Sequence, residues 1–276
     1  MHGSKTFLRS IGQSIEGRGQ IVHSNFDLTT LATQPTSTLL IGGMHGDEIA
    51  TVLLLEDFVE DLLSTVAEPV AVLPLCNPDG YERCSRYNAR GVDLNRNCGF
   101  NWSADSAEPS GPRPWSEPET RALRDFICAV QPAKVVSLHW ALAEIDADGH
   151  HSTGLAQAMW EAMDEVERLP YRLRVTEVGR GQRRLQRTYT VCPGSLGQWC
   201  GYALQYPNNR VPAMITLELP YAAELSSRPA DLPLDHLESL RELWERDADG
   251  YLRAVEGAVH KMLLAACRFD PHHIAA

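Results

Sequence analysis

Residues that bind metal ions or transfer protons occur at a few widely separated positions in this sequence of 276 residues. His45 and Glu48 belong to one short motif, His-Gly-Asp-Glu, and His139 and Glu218 follow much later. Two imidazoles and one carboxylate are a known ligand set of catalytic zinc, which leaves a fourth position open for water. A lone His-x-x-Glu spacing is weak evidence, because most such pairs are ordinary surface or helix pairs. A zinc site therefore requires that the fold bring the distant residues together.

Four short apolar runs predict the buried β-strands that would do this. They are rich in Val, Ile and Leu and lack polar alternation, which is typical of a sheet covered on both faces. The runs are residues 38–41, 70–73, 135–138 and 214–217. Three of them lead directly into the residues described above. Since ligands of α/β proteins bind at the carboxyl ends of strands, we expect these side chains to share one edge of a sheet.

The spacing of the first motif has a physical reason. His45 would leave the end of a strand, Gly46 would permit a tight turn, and Glu48 would face back from the first helical turn. Two ligands on one rigid strand–helix corner lower the entropy cost of assembling a metal site. The third ligand must then come from a neighbouring strand, and His139 is in a position to supply it.

Helical patterns separate the predicted strands. Apolar residues recur at helical spacing over residues 48–63. Residues 116–119, Ser-Glu-Pro-Glu, predict a capping box that opens a helix extending to about Val130. Residues 152–169 and 236–267 are also predicted to be helical, the latter with a break near Asp249-Gly250. Alternating strands and helices predict an α/β fold, and we expect residues 1–276 to form a single domain.

Composition excludes several classes of protein. Twenty-five basic against 36 acidic residues give a net charge of −11, so binding to nucleic acid is not expected. No apolar run approaches the roughly 20 residues that span a bilayer, and the N-terminus lacks the apolar segment of a secretory signal. The seven cysteines form no CxxC pair, which argues against a disulfide framework. We therefore expect a cytoplasmic protein with no membrane partner.

The order of several motifs resembles that of zinc carboxypeptidases of the carboxypeptidase A type. The matching elements are residues 45–48, 77–80, 93–97, His139 and residues 216–218. Several ordered motifs are more specific than any one of them. The resemblance covers roughly residues 35–220 and implies a mixed, mostly parallel sheet flanked by helices on both faces.

Two further stretches, residues 88–97 and 193–197, are similar to bacterial murein peptide amidases. Those enzymes hydrolyse the γ-D-glutamyl bond to meso-diaminopimelate in cell-wall peptides that are being recycled. The resemblance therefore implies zinc-dependent hydrolysis of a peptide or amide bond next to a residue with a free carboxylate. The expected partner is a small peptide, and the oligomeric state is left open.

Roles for individual residues follow from this resemblance. His45, Glu48 and His139 correspond to the ligands of one Zn²⁺ per chain, and Glu218 corresponds to the general base. Further correspondences cover the groups around the metal. They are Asp93, which orients a ligand histidine, Arg86, which polarises the scissile carbonyl, Asn95 and Arg96, which hold the substrate's terminal carboxylate, and Tyr189, which caps the substrate.

Some features do not follow the family pattern. Trp140 stands where a small residue is common, and its bulk could narrow the pocket. Gly197 falls near a specificity position of digestive carboxypeptidases and carries no charge, so it gives no sign of selection for a basic side chain. Residues 145–148 resemble an acidic stretch of the amidases, but no contact is assigned to them. The arginine-rich residues 180–187 are either a cationic rim that steers acidic peptides or a solvated face, and the solvated face is favoured.

Two other functions compete with this interpretation. An N-acyl amino acid hydrolase of the aspartoacylase or succinylglutamate desuccinylase type shares the early His-x-x-Glu, the distal His and the late Glu. It is not expected to carry the full motifs at residues 77–80 and 92–97. A catalytically inactive zinc- or peptide-binding module is the second alternative. Glu218 and Arg86 argue against it, since a binding module needs neither.

Overall fold

The computed structural model describes residues 6–28, 37–175, 192–207, 209–220 and 237–271. Eight strands form one sheet; they are β1 (Phe7–Gln13), β2 (Gly19–Ser24), β3 (Thr38–Ile41), β4 (Val70–Leu73), β5 (Lys134–Trp140), β6 (Glu144–Asp148), β7 (Arg172–Arg174) and β8 (Ala213–Leu219). The helices are α1 (Ile49–Thr65), α2 (Pro78–Glu82), α3 (Pro118–Val130), α4 (Thr153–Ala162), α5 (Glu165–Arg168), α6 (Leu196–Gln198), which continues into a π-helical turn (Trp199–Ala203), and α7 (Leu237–Arg268).

The strand order across the sheet is β1-β2-β4-β3-β5-β8-β6-β7. The central strands β4, β3, β5 and β8 run parallel to one another. β2 pairs antiparallel with both β1 and β4, and β6 pairs antiparallel with β8. All four predicted strands lie in this central parallel part. Their unbroken apolar sequences fit that position, because both of its faces are covered.

Two apolar layers cover the sheet, one on each face. The larger layer contains buried side chains of α1, α4 and α7, packed on alternate residues of the central strands such as Val136 and Leu138. The opposite layer contains buried side chains of α3 and α6, packed on residues such as Val135 and Met214. The expected fold class, a mixed and mostly parallel sheet with helices on both faces, is therefore confirmed. None of the described helices combines the length and apolar character needed to cross a membrane.

Three details of the helices differ from the prediction. α7 runs without interruption through Asp249-Gly250, so the predicted break is wrong. Residues 152–169 form two helices, α4 and α5, rather than one. Ser116 does not cap α3, whose N-terminal boundary residue Glu117 makes no side-chain capping bond. The Ser116 hydroxyl instead donates to the Glu117 carboxylate and accepts from the Asn97 amide, so neighbouring side chains outcompete the cap.

The Asn-Pro-Asp-Gly motif begins the short helix α2. The Asn77 side chain accepts a hydrogen bond from the Gly80 amide at 3.0 Å, and Pro78 occupies the first turn, where its missing N–H costs nothing. The backbone of Gly80 then lies directly against Gly46. A Cβ atom on Gly46 would lie 2.0 Å from the Gly80 carbonyl carbon, so this close approach of two backbones requires glycine there.

Candidate active site

His45, Glu48 and His139 converge at the carboxyl ends of β3 and β5. The Glu48 amide donates to the His45 carbonyl at 3.3 Å, and Glu48 immediately precedes α1, so both side chains project from one strand–helix corner. The Nδ1 atom of His45 lies 2.7 Å from Glu48 Oε1, and Nδ1 of His139 lies 3.2 Å from Glu48 Oε2. All three side chains are buried, and their ligand atoms lie within 4.8 Å of one another. This cluster could hold a metal ion.

The outer nitrogen of each histidine is occupied by another side chain. His45 Nε2 lies 3.2 Å from Asp93 Oδ1, and His139 Nε2 lies 3.1 Å from Ser137 Oγ. Such partners set the tautomer that leaves the inner Nδ1 lone pair free for a metal. Two Nδ1 atoms and one carboxylate also match the three protein ligands of a catalytic zinc site. The residues present therefore fit the ion that the resemblance implies.

Strong electrostatic coupling links the residues of this cluster. Burial alone would lower the pKa of His45, but the Glu48 and Asp93 carboxylates raise that pKa to about 9. Burial would raise the pKa of Glu48, but His45 and His139 lower it to about 2. A buried glutamate that stays ionised needs a positive partner, and a divalent cation can replace the protons in that role.

Asp93 connects the histidine cluster to an arginine and to the backbone that follows. Its Oδ1 accepts from the Asn95 amide at 2.8 Å, in addition to its contact with His45. Its Oδ2 accepts from Arg86 Nε at 3.0 Å and lies 2.8 Å from Arg86 Nη2. The third guanidinium nitrogen, Arg86 Nη1, lies 3.4 Å from His45 Nδ1. Asp93 thus directs one Arg86 nitrogen toward the histidine cluster. Burial alone would raise the pKa of the Asp93 carboxyl, but His45 and Arg86 hold that pKa well below the ordinary range.

Asn95 and Arg96 lie on the 3-10 turn Leu94–Arg96, which follows Asp93. The Asn95 Oδ1 atom accepts from the Leu196 amide at 2.9 Å, so the side-chain NH₂ remains as the donor end of the amide. Arg96 Nη1 donates to the Asn95 carbonyl at 2.7 Å, and its side chain is partly exposed. Both side chains can therefore donate N–H groups to an anion bound beside His45, Glu48 and His139.

Glu218 lies next to His139 across two parallel strands. The register of β5 and β8 pairs these two residues directly, and paired residues project from the same face of a sheet. The Glu218 Oε2 atom is buried and has no hydrogen-bond partner among the described residues. Burial raises the pKa of Glu218, and the Glu48 charge adds to this effect, whereas His139 opposes it. A buried carboxylate with raised proton affinity is typical of a general base.

Other residues singled out in the sequence have different outcomes. Tyr189 and the arginine-rich residues 180–187 lie outside the described residues. The Trp140 side chain packs against the apolar layer of α1, α4 and α7, on the opposite face of the sheet from His139. It therefore does not narrow the space around His45, Glu48 and His139. The sequence analysis did not identify Ser137 as a partner of His139. Its position two residues before His139 on one strand is a signal that both side chains share a face of the sheet.

Comparisons with known proteins agree with this geometry. The family model described as zinc carboxypeptidase matches residues 1–224. Murein peptide amidase A of Escherichia coli strain K12 is 37% identical over 186 residues, which cover 61% of this chain and 68% of that protein. The crystal structure of murein-tripeptide amidase MpaA from Escherichia coli O157 shares 30% identity with a TM-score of 0.54, over 86% of this chain and 90% of that one.

A more distant structure supports the fold alone. Carboxypeptidase A from Helicoverpa armigera shares 20% identity with a TM-score of 0.66, over 99% of this chain and 70% of that one. The resemblance stated from the sequence is therefore confirmed. Because the family model extends over far more than half of its residues, the chain belongs to the zinc carboxypeptidase family and is a hydrolase of the metallopeptidase type.

Proposed function

We propose that this protein is a zinc-dependent amidase that cleaves the bond between γ-D-glutamate and a diamino acid, as in γ-D-glutamyl-diaminopimelate, in small peptides derived from cell walls. The observation that carries this proposal is the convergence of His45, Glu48 and His139 beside Glu218. The names of the relatives, murein peptide amidase and murein-tripeptide amidase, support the substrate class. They do not favour an N-acyl amino acid hydrolase or an inactive binding module.

His45, Glu48 and His139 would hold one Zn²⁺ per chain. Bound at this position, zinc supplies Lewis acidity and lowers the pKa of water to roughly 7. The chain's contribution is to fix the donor atoms. Asp93 and Ser137 orient the two imidazoles, and burial keeps bulk water away from the three ligands.

Glu218 would act as the general base. Its unpartnered, buried oxygen can take a proton from the attacking water and later deliver that proton to the departing amine. The raised pKa of Glu218 supports this cycle, since the group must release the proton as readily as it accepts it.

Arg86 would stabilise the negative charge that develops on the scissile carbonyl oxygen. Asp93 holds two of its guanidinium nitrogens, which fixes the side-chain conformation and directs Nη1 toward the position of the reacting atoms. A preorganised donor of this kind is worth about 3 kcal/mol of transition-state stabilisation.

Asn95 and Arg96 would hold the free carboxylate of the leaving residue, and Tyr189 would cap the bound substrate. A planar guanidinium and an adjacent amide match a carboxylate well and would fix the register of the scissile bond. We also propose that residues 1–276 act as one catalytic domain, that the protein acts in the cytoplasm, and that its reaction belongs to the recycling of cell-wall peptides.

The test is a hydrolysis assay on the zinc-loaded protein. We expect cleavage of L-Ala-γ-D-Glu-meso-diaminopimelate and much slower cleavage of ordinary C-terminal L-peptides. The variant Glu218→Gln should bind zinc normally and lose about 10²–10⁴-fold in kcat, because the base is removed without removing a ligand.

Glu256→Gln, an exposed position on α7, is the matched control and should retain activity. Normal turnover by Glu218→Gln would refute the role of the base. Failure of the wild-type protein to cleave the tripeptide while it cleaves ordinary peptides would refute the proposed substrate class.

A further inference from the structure

One glycine of α2 connects the motif that holds two candidate metal ligands with the segment that carries Arg86. The Gly80 backbone packs against Gly46, inside the His-Gly-Asp-Glu motif. Both residues that flank Arg86 also contact this glycine. The Gly80 carbonyl accepts from the Ser85 amide at 2.9 Å, and a Cβ atom at residue 80 would lie 2.7 Å from the Tyr87 carbonyl oxygen. Gly80 is therefore a spacer that sets the distance between the metal-binding motif and the arginine.

The carboxylate of Asp79, the residue before this glycine, joins α2 to the turn between β1 and β2 (residues 14–18). Asp79 is fully buried. Its Oδ1 atom accepts from Ser14 Oγ at 2.7 Å and from Arg18 Nη1 at 2.6 Å, and its Oδ2 atom accepts from the Glu16 amide at 3.0 Å. Burial alone would raise the pKa of Asp79, but the bonds from Ser14 and Arg18 hold that pKa below its ordinary value. The charged carboxylate is thus the buried attachment point of this turn.

Glu16 attaches the same turn to the end of α2. Its carboxylate forms ion pairs with Arg18 and with Arg83, which follows the last residue of the helix. Arg83 Nη1 also donates to the Asp79 carbonyl at 3.4 Å. These ion pairs are exposed, and exposed ion pairs contribute little to stability. The buried Asp79 carboxylate is therefore the main link between the turn and α2.

The turn between β1 and β2 also reaches the segment that follows Arg86. The Ile15 amide donates to Glu119 Oε1 at 3.2 Å, and Glu119 Oε2 accepts from Asn88 Nδ2 at 3.3 Å. Asn88 stands two residues after Arg86, and Asp79 stands seven residues before it. The turn therefore holds the chain on both sides of the arginine.

We propose that Asp79 is a positioning residue for Arg86. Its bonds to the turn between β1 and β2 fix Gly80, which keeps the arginine at the distance from the metal ligands at which Nη1 reaches the scissile carbonyl. This inference rests on the proposed function, since it requires that Arg86 act on that carbonyl. Because Asp79 is fully buried, it acts through Arg86 and not on the substrate. A displacement of about 1 Å at a reacting group is enough to lower the rate by as much as about 100-fold.

The experiment is a double-mutant cycle between Asp79→Asn and Arg86→Ala, with kcat and KM measured on L-Ala-γ-D-Glu-meso-diaminopimelate. With Arg86 present, we expect Asp79→Asn to lower kcat about 10-fold, which is part of the roughly 10²–10³-fold that a whole preorganised donor provides. KM should stay near the wild-type value, because Asn95 and Arg96 still hold the substrate's carboxylate. In the Arg86→Ala protein, Asp79→Asn should leave kcat nearly unchanged, because the group that it positions is gone.

Arg18→Gln is a second variant for the case in which Asp79→Asn folds poorly. It removes the cation that pairs with the buried carboxylate and should lower kcat in the same direction. Lys261→Gln is its matched control, since the Lys261 side chain is 44% exposed and ion-paired with Glu167, whereas the Arg18 side chain is 40% exposed. The control should keep the wild-type kcat. Zinc affinity in a chelator competition should be unchanged in every one of these variants.

The NMR signal of the Arg86 Nε–H group, which donates to Asp93, separates this inference from the proposed function. The signal is identified by its loss in Arg86→Ala. We expect it to shift or broaden in Asp79→Asn and to keep its position in Lys261→Gln. That result supports the positioning role even where the tripeptide is not cleaved, an outcome that would overturn only the proposed function.

Two results would overturn the inference and leave the amidase function standing. One is an unmoved Arg86 signal together with a wild-type kcat in Asp79→Asn. The other is an equal loss of kcat with and without Arg86, or a loss of zinc affinity, because Asp79 would then support the fold in general and not the arginine.

Discussion

Replacement of Lys134 by Met tests whether a buried charge makes the stability of this fold depend on pH. Lys134 begins β5 and is fully buried. Its Nζ atom donates to the Cys267 carbonyl at 2.8 Å and to the Phe269 carbonyl at 2.6 Å, at the end of α7. Burial lowers the pKa of Lys134 from 10.5 to about 8. Two carbonyl acceptors therefore do not fully replace the hydration that the ammonium group has lost.

The size of the effect follows from these two pKa values. A tenfold change in proton affinity corresponds to about 1.4 kcal/mol, so the folded state holds this charge at a cost of about 3 kcal/mol relative to the neutral amine. Between pH 8 and 10.5 the unfolded chain keeps the proton and the folded chain releases it. The free energy of unfolding contributed by Lys134 therefore rises by about 3 kcal/mol across that interval and is flat below and above it.

The assay is urea unfolding of the wild-type protein and of Lys134→Met at a series of pH values from 7 to 11. Other groups titrate in this range. Burial raises the pKa of Cys76 to about 12 and also raises that of Tyr206, which makes stability fall as pH rises. The Cys76 and Tyr206 contributions are common to both proteins and cancel in the difference between the two unfolding free energies. Cys267 contacts Lys134, but burial raises the pKa of its thiol to about 12, so it stays largely protonated in the folded state over this range and the difference reports on Lys134. The carbonyl hydrogen bonds lost in the variant add an offset that does not change with pH.

Lys261→Met is the matched control. Lys261 is exposed and bonded to Glu167, which raises its pKa, so its difference profile should be small and of opposite sign. A difference profile for Lys134→Met that stays flat between pH 8 and 10.5 would refute the reasoning, since the amine would then titrate alike in the folded and unfolded chains.

Two further predictions concern contacts around the candidate metal ligands. Ser137→Ala should weaken zinc binding about 10- to 100-fold in a chelator competition, because the outer nitrogen of His139 loses its partner, and Ser137→Thr should restore most of the affinity. Unchanged affinity in the alanine variant would exclude an orienting role. Gly46→Ala should lower the free energy of unfolding by about 3 kcal/mol in urea, since its methyl group would overlap the Gly80 backbone. Gly257→Ala, a helical position with nothing closer than 3.5 Å, should be neutral or stabilising, and equal effects at both glycines would contradict the packing argument.

The sequence predicted the centre of the sheet better than its edges. The central strands are apolar on both faces, so their residues carry a strong local signal, as in Val70–Leu73. Strands at and next to the edges of the sheet carry a weaker signal. β1, at one edge, is largely exposed, and β6, next to the other edge strand, alternates Ile145 and Ala147 with acidic residues on the face that carries Glu218. Neither strand has the unbroken apolar run that marks the central strands, so that pattern could not locate them.

The candidate site was predictable in its members but not in its geometry. Strand ends and ordered motifs indicated His45, Glu48, His139 and Glu218, and the structure brings all four together. The pairing of His139 with Glu218 depends on the register of two strands about 80 residues apart, which no local pattern specifies. The contact between Gly197 and Asp148 likewise joins segments that are distant in the chain, so the charge of that region could not be judged from residue 197 alone.

The direct pairing of His139 with Glu218 has a consequence for how this scaffold can vary. Their separation is set by the hydrogen-bonded spacing of two adjacent strands, about 4.8 Å between backbones, rather than by any loop. Insertions or deletions in the surrounding loops can therefore alter which molecules bind without moving Glu218 relative to His139. A library that randomises loop positions but keeps Arg86, Asp93, Asn95 and Arg96 should keep the proposed reaction and diversify its selectivity.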